Sequence, residues 1–305
     1  MGAASAVGAP AGERRLLGML LVAAAAVLFS TGGLIVRSLE AADPWTTIFW
    51  RSLTAMLFLL GFMLVRDGGR GTLALFRQMG LPGLLVGVFL ASSSIAFLVA
   101  LSLTTVARTL IMLSAGPLVA AVLARLVLGE AIRPRTYATI AAVMAGIVIM
   151  VSAELGGEGS LLGDAVAFLI ALSYAAAIVT TRKYPHIRMT PAACTGAAIG
   201  MVAALPLAAP FSVGAYDFAL LVLFGAGQLG VALALFVTGA RLIPAAMSAL
   251  LSMIEPILGP VWVWLAFGER PADTTLIGGA IVILSVAANT VLDARSAALR
   301  KAPHP

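Results

Sequence analysis

Glu255 stands inside an apolar stretch, "SMIEPILGPVWVWLAFGE" (252–269), beside Pro256, which lacks the N–H that a continuous helix needs. Its position, about 13 residues into an apolar segment of about 26, puts it roughly 20 Å along a helix axis. An ionised carboxylate at that depth in hydrocarbon costs about 2.5–3.5 kcal/mol, so it should be paired, protonated or facing a water-filled cavity. Helical spacing favours the cavity. Ser248, Ser252, Glu255, Gly259, Trp262 and Ala266 form one small-and-polar stripe, while Leu250, Ile254, Ile257, Val261 and Leu265 form the opposite, lipid-like face. Two roles stay open for the acid. It binds a substrate ammonium or a coupling proton, or it bonds a neighbouring helix and steadies the kink at Pro256.

The other groups with chemical potential are sparse. Arg51, in "FWRSL", sits about 10 Å into the second apolar segment and offers a bidentate fork to a carboxylate. It could equally pair with Asp43 or Glu40, or snorkel outward. Arg108 lies one turn into the fourth segment, where snorkelling is easy. Gln228, flanked by Gly225, Gly227 and Gly230, is either a cavity donor or glue between close-packed helices. Ser92, Ser93 and Ser94 fall mid-segment, with Ser93 a candidate contact to substrate; serines there also satisfy their own helix. Tyr174 and Trp50 are candidate aromatic walls, whereas Trp45 and Trp264 sit nearer segment ends, where indoles anchor at interfaces. Met112, Met247 and Met253 suit an adaptable pocket or plain core filling.

Much chemistry is excluded. There is no glycine-rich phosphate loop ending in Gly-Lys-Ser/Thr, no nucleophile elbow and no His-rich helix. The single cysteine, Cys194, rules out a disulfide within the chain and a multi-cysteine zinc site; His186 and His304 fall in a loop and the tail. No metal or cofactor is expected. Net charge is +6, but the cations are scattered over many short segments rather than gathered in a patch, which argues against nucleic acid.

The elements that must position these groups are membrane helices. The 305-residue chain is 61% hydrophobic and only 10% charged, against about 25% charged in soluble domains. Hydropathy and punctuation predict ten spans: Leu16–Val36, Pro44–Val65, Leu81–Leu101, Thr104–Leu128, Arg135–Val151, Gly163–Thr181, Pro191–Ala209, Tyr216–Val237, Leu242–Phe267 and Thr274–Val291. The first run is too long for a signal-peptide core and lacks a small-x-small cleavage site, so it reads as a span despite Arg14-Arg15 before it. With both termini in the cytoplasm, fourteen Lys and Arg fall on the inner side and only Arg37 and Arg270 outside. That predicts a multi-pass protein of the cell (inner) membrane, its partners being the bilayer and a small molecule. The sequence leaves oligomeric state open.

The chain also repeats itself. "GPLVAAVLARLVLGE" (116–130) superposes without a gap on "EPILGPVWVWLAFGE" (255–269), pairing Pro117 with Pro256, Gly129 with Gly268 and Glu130 with Glu269. Both glutamates end helices, where a carboxylate is unfavourable; capping the next helix or binding a nearby arginine would settle them, a gating role rather than recognition. Five spans per half is odd, so the halves are inverted in the membrane, the plan of many secondary transporters. The expected division is a tail (1–15), a first five-helix repeat (16–152), a second, inverted one (163–292) and a tail (293–305).

These features together, with Arg51 early in the second helix, resemble the EamA-type drug/metabolite transporter superfamily from Leu16 to Val291. The resemblance implies an all-α membrane protein that is not an enzyme and that exports amino acids, metabolites or toxic cations. Its amino-acid exporter branch, the YddG-like proteins, is the expectation, with protons a candidate coupling ion. The alternatives are a multidrug or toxic-cation exporter of the same fold and, from another class, a membrane-embedded enzyme acting on lipid-linked metabolites.

Overall fold

The computed structural model describes residues 11–129, 134–152, 160–184, 188–240, 242–243 and 245–301. Glu130 and the side chain of Pro117 lie outside that description. Among the described residues the chain is helical, with no strand: α1 (Ala11–Ser30), α2 (Gly32–Ser38), α3 (Pro44–Leu103), α4 (Val106–Ser114), α5 (Gly116–Leu128), α6 (Pro134–Ser152), α7 (Leu161–Lys183), α8 (Met189–Ala204), α9 (Ala215–Val222), α10 (Ala232–Ala240), α11 (Ala245–Ser252), α12 (Ile254–Phe267) and α13 (Asp273–Lys301). A π-helical segment, Leu223–Val231, joins α9 to α10. Five helical stretches are long and apolar enough to cross a membrane, and four shorter apolar helices accompany them.

α3, at 60 residues, would measure about 90 Å if straight, three times the hydrocarbon thickness. Gly68 (φ 70°) and Gly80 (φ 51°) divide it into three pieces, 44–67, 69–79 and 81–103. The middle piece was expected to be a loop. Its interior holds no proline, and Thr72, Phe76 and Met79 pack inward, so it is helical despite Gly69 and Gly71. α8 ends at Ala204, short of the expected Ala209, because Pro206 cannot continue it.

The breaks inside the apolar stretches have local causes. At the α1–α2 junction the Ser30 and Thr31 hydroxyls donate back to Val27 O (2.6 Å) and Leu28 O (2.7 Å), competing with the helix ladder. Ser114 donates to Ile111 O (2.6 Å) just before the α4–α5 break at Ala115, and Ser252 to Ser248 O (2.9 Å) before the α11–α12 break at Met253. Pro117 and Pro256 then fall in the first turns of α5 and α12, where a missing N–H is harmless. Both helices stop on a left-handed glycine, Gly129 (φ 70°) and Gly268 (φ 71°), so the sequence repeat recurs as repeated backbone geometry.

At one end, called here the Glu269 end, the connections are tightly tied. Asp217 accepts from the amides of Glu40 (3.0 Å), Ala41 (2.9 Å) and Ala42 (3.1 Å), clasping the α2–α3 loop to the start of α9. Asp43 caps α3 through the amides of Trp45 and Thr46 and accepts from the Thr46 hydroxyl. Burial pushes the Asp43 carboxyl up, but these donors outweigh it and hold it below the usual carboxylate range. Asp217→Ala leaves three amides short of an acceptor and is expected to cost about 1–3 kcal/mol. Hydrogen exchange should show it directly, as lost protection of amides 40–42 with α3 itself unchanged.

Packing between the helices is asymmetric in a way that matters. α4 packs on α12 at the Glu269 end, while α5 packs on α7 at the other, the Lys183 end. By the 139-residue repeat, the counterpart of the α4–α12 contact is one between α5 and α11, and no comparable approach joins those two among the described residues.

Candidate functional site

Arg51 is 6% exposed and held from three sides. Its Nη1 donates to Ser94 Oγ at 2.6 Å, and its guanidinium lies over the rings of Phe224 (4.5 Å) and Phe97 (5.7 Å). The π segment brings Phe224 there because Gly225 has no side chain: a Cβ at that position would strike the Arg51 carbonyl and the Thr54 hydroxyl. The expected alternatives, pairing with Asp43 or Glu40 and outward snorkelling, do not occur. Asp43 is spent on the α3 cap, and the guanidinium is too well enclosed to reach water at the surface.

Glu255, in the first turn of α12, is the acid whose field acts on Arg51, and it acts on Tyr174 of α7 as well. Yet Glu255 is half-buried and makes no hydrogen bond or ion pair among the described residues. Arg51 likewise has no ion pair, and its Nε is buried with no partner. Tyr174 is 37% exposed. A cation, an acid and a phenol from three helices therefore share one electrostatic neighbourhood without neutralising one another.

Gln228 sits at the α1–α2 break. Its Nε2 donates to Phe29 O at 2.9 Å, and its Oε1 is buried with no partner. Trp262 of α12 donates to Ser30 Oγ at 2.9 Å in the same region. Of the polar stripe anticipated on residues 248–266, Trp262 thus faces α1 and Gly259 lies between Leu110 of α4 and the Ser30 carbonyl.

Other expected site residues are used structurally. Trp50 donates through Nε1 to Pro210 O (3.1 Å) and stacks edge-on with Phe49 and Phe218, which fixes it to the connection between α8 and α9 rather than beside the Arg51 fork. Ser93 donates to Ile170 O (3.3 Å) and Ser92 meets Ser173, tying α3 to α7, and it is Ser94 that faces Arg51. Arg108 does not snorkel. It is 2% exposed and bonds Asp164 Oδ2 at 3.0 Å, with Thr104 donating to the other carboxylate oxygen. Asp164, an acid in the first turn of an otherwise apolar helix, was the overlooked signal. Glu269 meets Arg37 at 3.6 Å, one of the two partners expected for it.

Two copies of one family model, the EamA-like transporter family, match residues 16–152 and 161–291. The chain belongs to the EamA-like transporter family. It is accordingly a multi-span membrane transporter of small molecules and not an enzyme. The EamA-like fold is shared with a protein of known crystal structure at 21% identity and a TM-score of 0.66, over 91% of this chain and 98% of that one. No curated protein matches the chain.

The site of this EamA-like chain draws on both matched segments, Arg51 and Ser94 from the first, Glu255, Gln228 and Tyr174 from the second. No group of three or more metal-ligating side chains occurs among the described residues.

Proposed function

We propose that the protein is a secondary transporter exporting small zwitterionic metabolites, amino acids first among them, by alternating access around a midplane cavity. One arrangement carries the reading: Arg51 and Glu255, one from each repeat, are near enough to interact electrostatically, and neither has an ionic partner among the described residues. A zwitterion supplies what each lacks, its carboxylate to the Arg51 fork and its ammonium to Glu255. A purely cationic drug would leave the buried Arg51 uncompensated, which places multidrug export second. Tyr174 would then wall the substrate's side chain.

The alternation rests on the packing asymmetry. In the ten-span reading, the helix breaks at Gly68 and Gly80 separate the second and third spans, and the α4–α5 and α11–α12 pairs form the fourth and ninth. Contact of α4 with α12, with no comparable α5–α11 approach among the described residues, supports reading the carrier as closed at the Glu269 end and open at the Lys183 end. With both termini in the cytoplasm of an inner-membrane protein, this is the inward-facing state, and the Arg37–Glu269 pair lies at the closed outer end. Exchanging the two contacts would give the outward-facing state.

Flux of labelled amino acids in proteoliposomes is the test. Saturable transport of at least one of the twenty is expected, and imposing a pH gradient reports whether protons couple to it. Absence of flux for all twenty, with flux of a cationic drug, would discard the zwitterion reading.

A further inference from the structure

The middle piece of α3, residues 69–79, has a surface that transport does not require. Thr72, Phe76 and Met79 form its inward stripe: Thr72 is buried, Phe76 packs with the Leu59–Met63–Cys194 cluster, and Met79 lies against Gly83 and Thr195. The opposite stripe runs Arg70, Leu73, Arg77. Both arginines are exposed and make no ion pair or hydrogen bond among the described residues, and Leu73 between them is 54% exposed. Seven residues of helix separate the two cations by about 10 Å on one face.

The surroundings are of the same character. Arg188 reaches Asp67 at 3.7 Å, which sets the start of α8 beside this piece; Asp67 also takes Arg66 at 2.6 Å. The following piece of α3 packs on α7 and α8 through Val86, Ala177 and Ala192. Arg66, Arg70, Arg77 and Arg188 are thus exposed cations on or beside this stretch, and its one acid, Asp67, is already engaged by Arg66 and Arg188. Exposed Val65 (91%) and Leu81 (69%) flank the piece at the two glycine turns, so exposed apolar and cationic groups alternate along the chain here. A short helix between two glycine breaks, with arginines and a leucine on its free face, matches an interfacial helix whose apolar side chains enter the acyl boundary and whose cations meet phosphates.

We propose that residues 66–79, with Arg188, form a binding site for the headgroups of anionic phospholipids, Arg70 and Arg77 holding the phosphates and Leu73 inserted between chains. The inference needs only that the protein sits in a bilayer, and it stands or falls separately from the choice of substrate.

Native mass spectrometry of the full chain in detergent, titrated with phosphatidylglycerol or phosphatidylcholine, tests it. Each cation near an anionic surface contributes about a fivefold factor, so Arg70→Gln/Arg77→Gln should weaken phosphatidylglycerol retention about thirtyfold. Phosphatidylcholine retention should be unchanged, and inorganic phosphate should compete poorly, because it has no chains for Leu73. Arg14→Gln/Arg15→Gln removes the same charge from another segment and should have little effect. Equal losses in the two double variants would reduce the effect to net charge and overturn the site, as would full competition by inorganic phosphate. Leu73→Ser in an otherwise unchanged chain should weaken phosphatidylglycerol without altering charge; unaltered retention in that variant also counts against the proposal.

Discussion

Glu255→Gln is expected to lower kcat/KM for export by about 10- to 150-fold, the worth of one hydrogen bond to a charged group. The same substitution should leave thermal stability close to unchanged, relief of a desolvated charge offsetting the lost attraction to Arg51. Glu255 has no hydrogen bond or ion pair among the described residues, so the amide forfeits no native contact. It also removes a charge that is partly withdrawn from water, and withdrawal is unfavourable for the ionised form. The two expectations separate the roles that the sequence left open. A carboxylate that merely steadied the α11–α12 break would show a lower melting temperature and near-normal flux. Wild-type KM together with a wild-type pH profile in the variant would remove Glu255 from the substrate and coupling path. The break itself gives independent reason to expect stability, because Pro256 occupies the first turn of α12 and needs no help from its neighbour.

How far the sequence reached is best seen at particular residues. The helical class, the repeated Pro and Gly positions and the exceptional standing of Arg51 and Glu255 were all legible, because a charge or a helix breaker in apolar sequence has few physical explanations. Partners were not. Hydropathy locates Arg51 in depth but says nothing of azimuth across helices 43 residues apart in sequence, so Ser94 could not be separated from Ser93. Arg108 was read by its distance from a helix end, a rule that assumes open water nearby. Asp164, 56 residues on, pairs with it instead. The helix at 69–79 was hidden for a different reason. "DGGRG" carries loop composition, yet only Gly68 and Gly80 depart from helical backbone, and the glycines between them are carried along by the packing of Phe76 and Met79.

The Arg108–Asp164 pair should dominate stability. Its members are 2% and 4% exposed, and it joins α4 to α7 at the Glu269 end, across the two matched segments. Arg108→Met leaves the Asp164 carboxylate buried without its cation, and a pair broken in this way costs about 3–5 kcal/mol. Asp164→Leu, which takes the paired carboxylate away from Arg108, should also be destabilising. The double variant Arg108→Met/Asp164→Leu should recover most of the loss, since two apolar groups of similar bulk remove both desolvation penalties together. Unfolding midpoints of the four proteins in one lipid or detergent give the cycle. Additive losses in the double variant would mean that the side chains are held by separate partners rather than by each other. Flux adds a second reading of the same four proteins. Gly163 already lies against the backbone of Leu103, so α7 and the α3–α4 turn form one closely packed junction with or without the charges. Alternation in the proposed scheme exchanges α4–α12 for α5–α11 and leaves that junction intact, so the apolar double variant should transport at the wild-type rate. If it folds and does not transport, the charges at this junction take part in the movement itself.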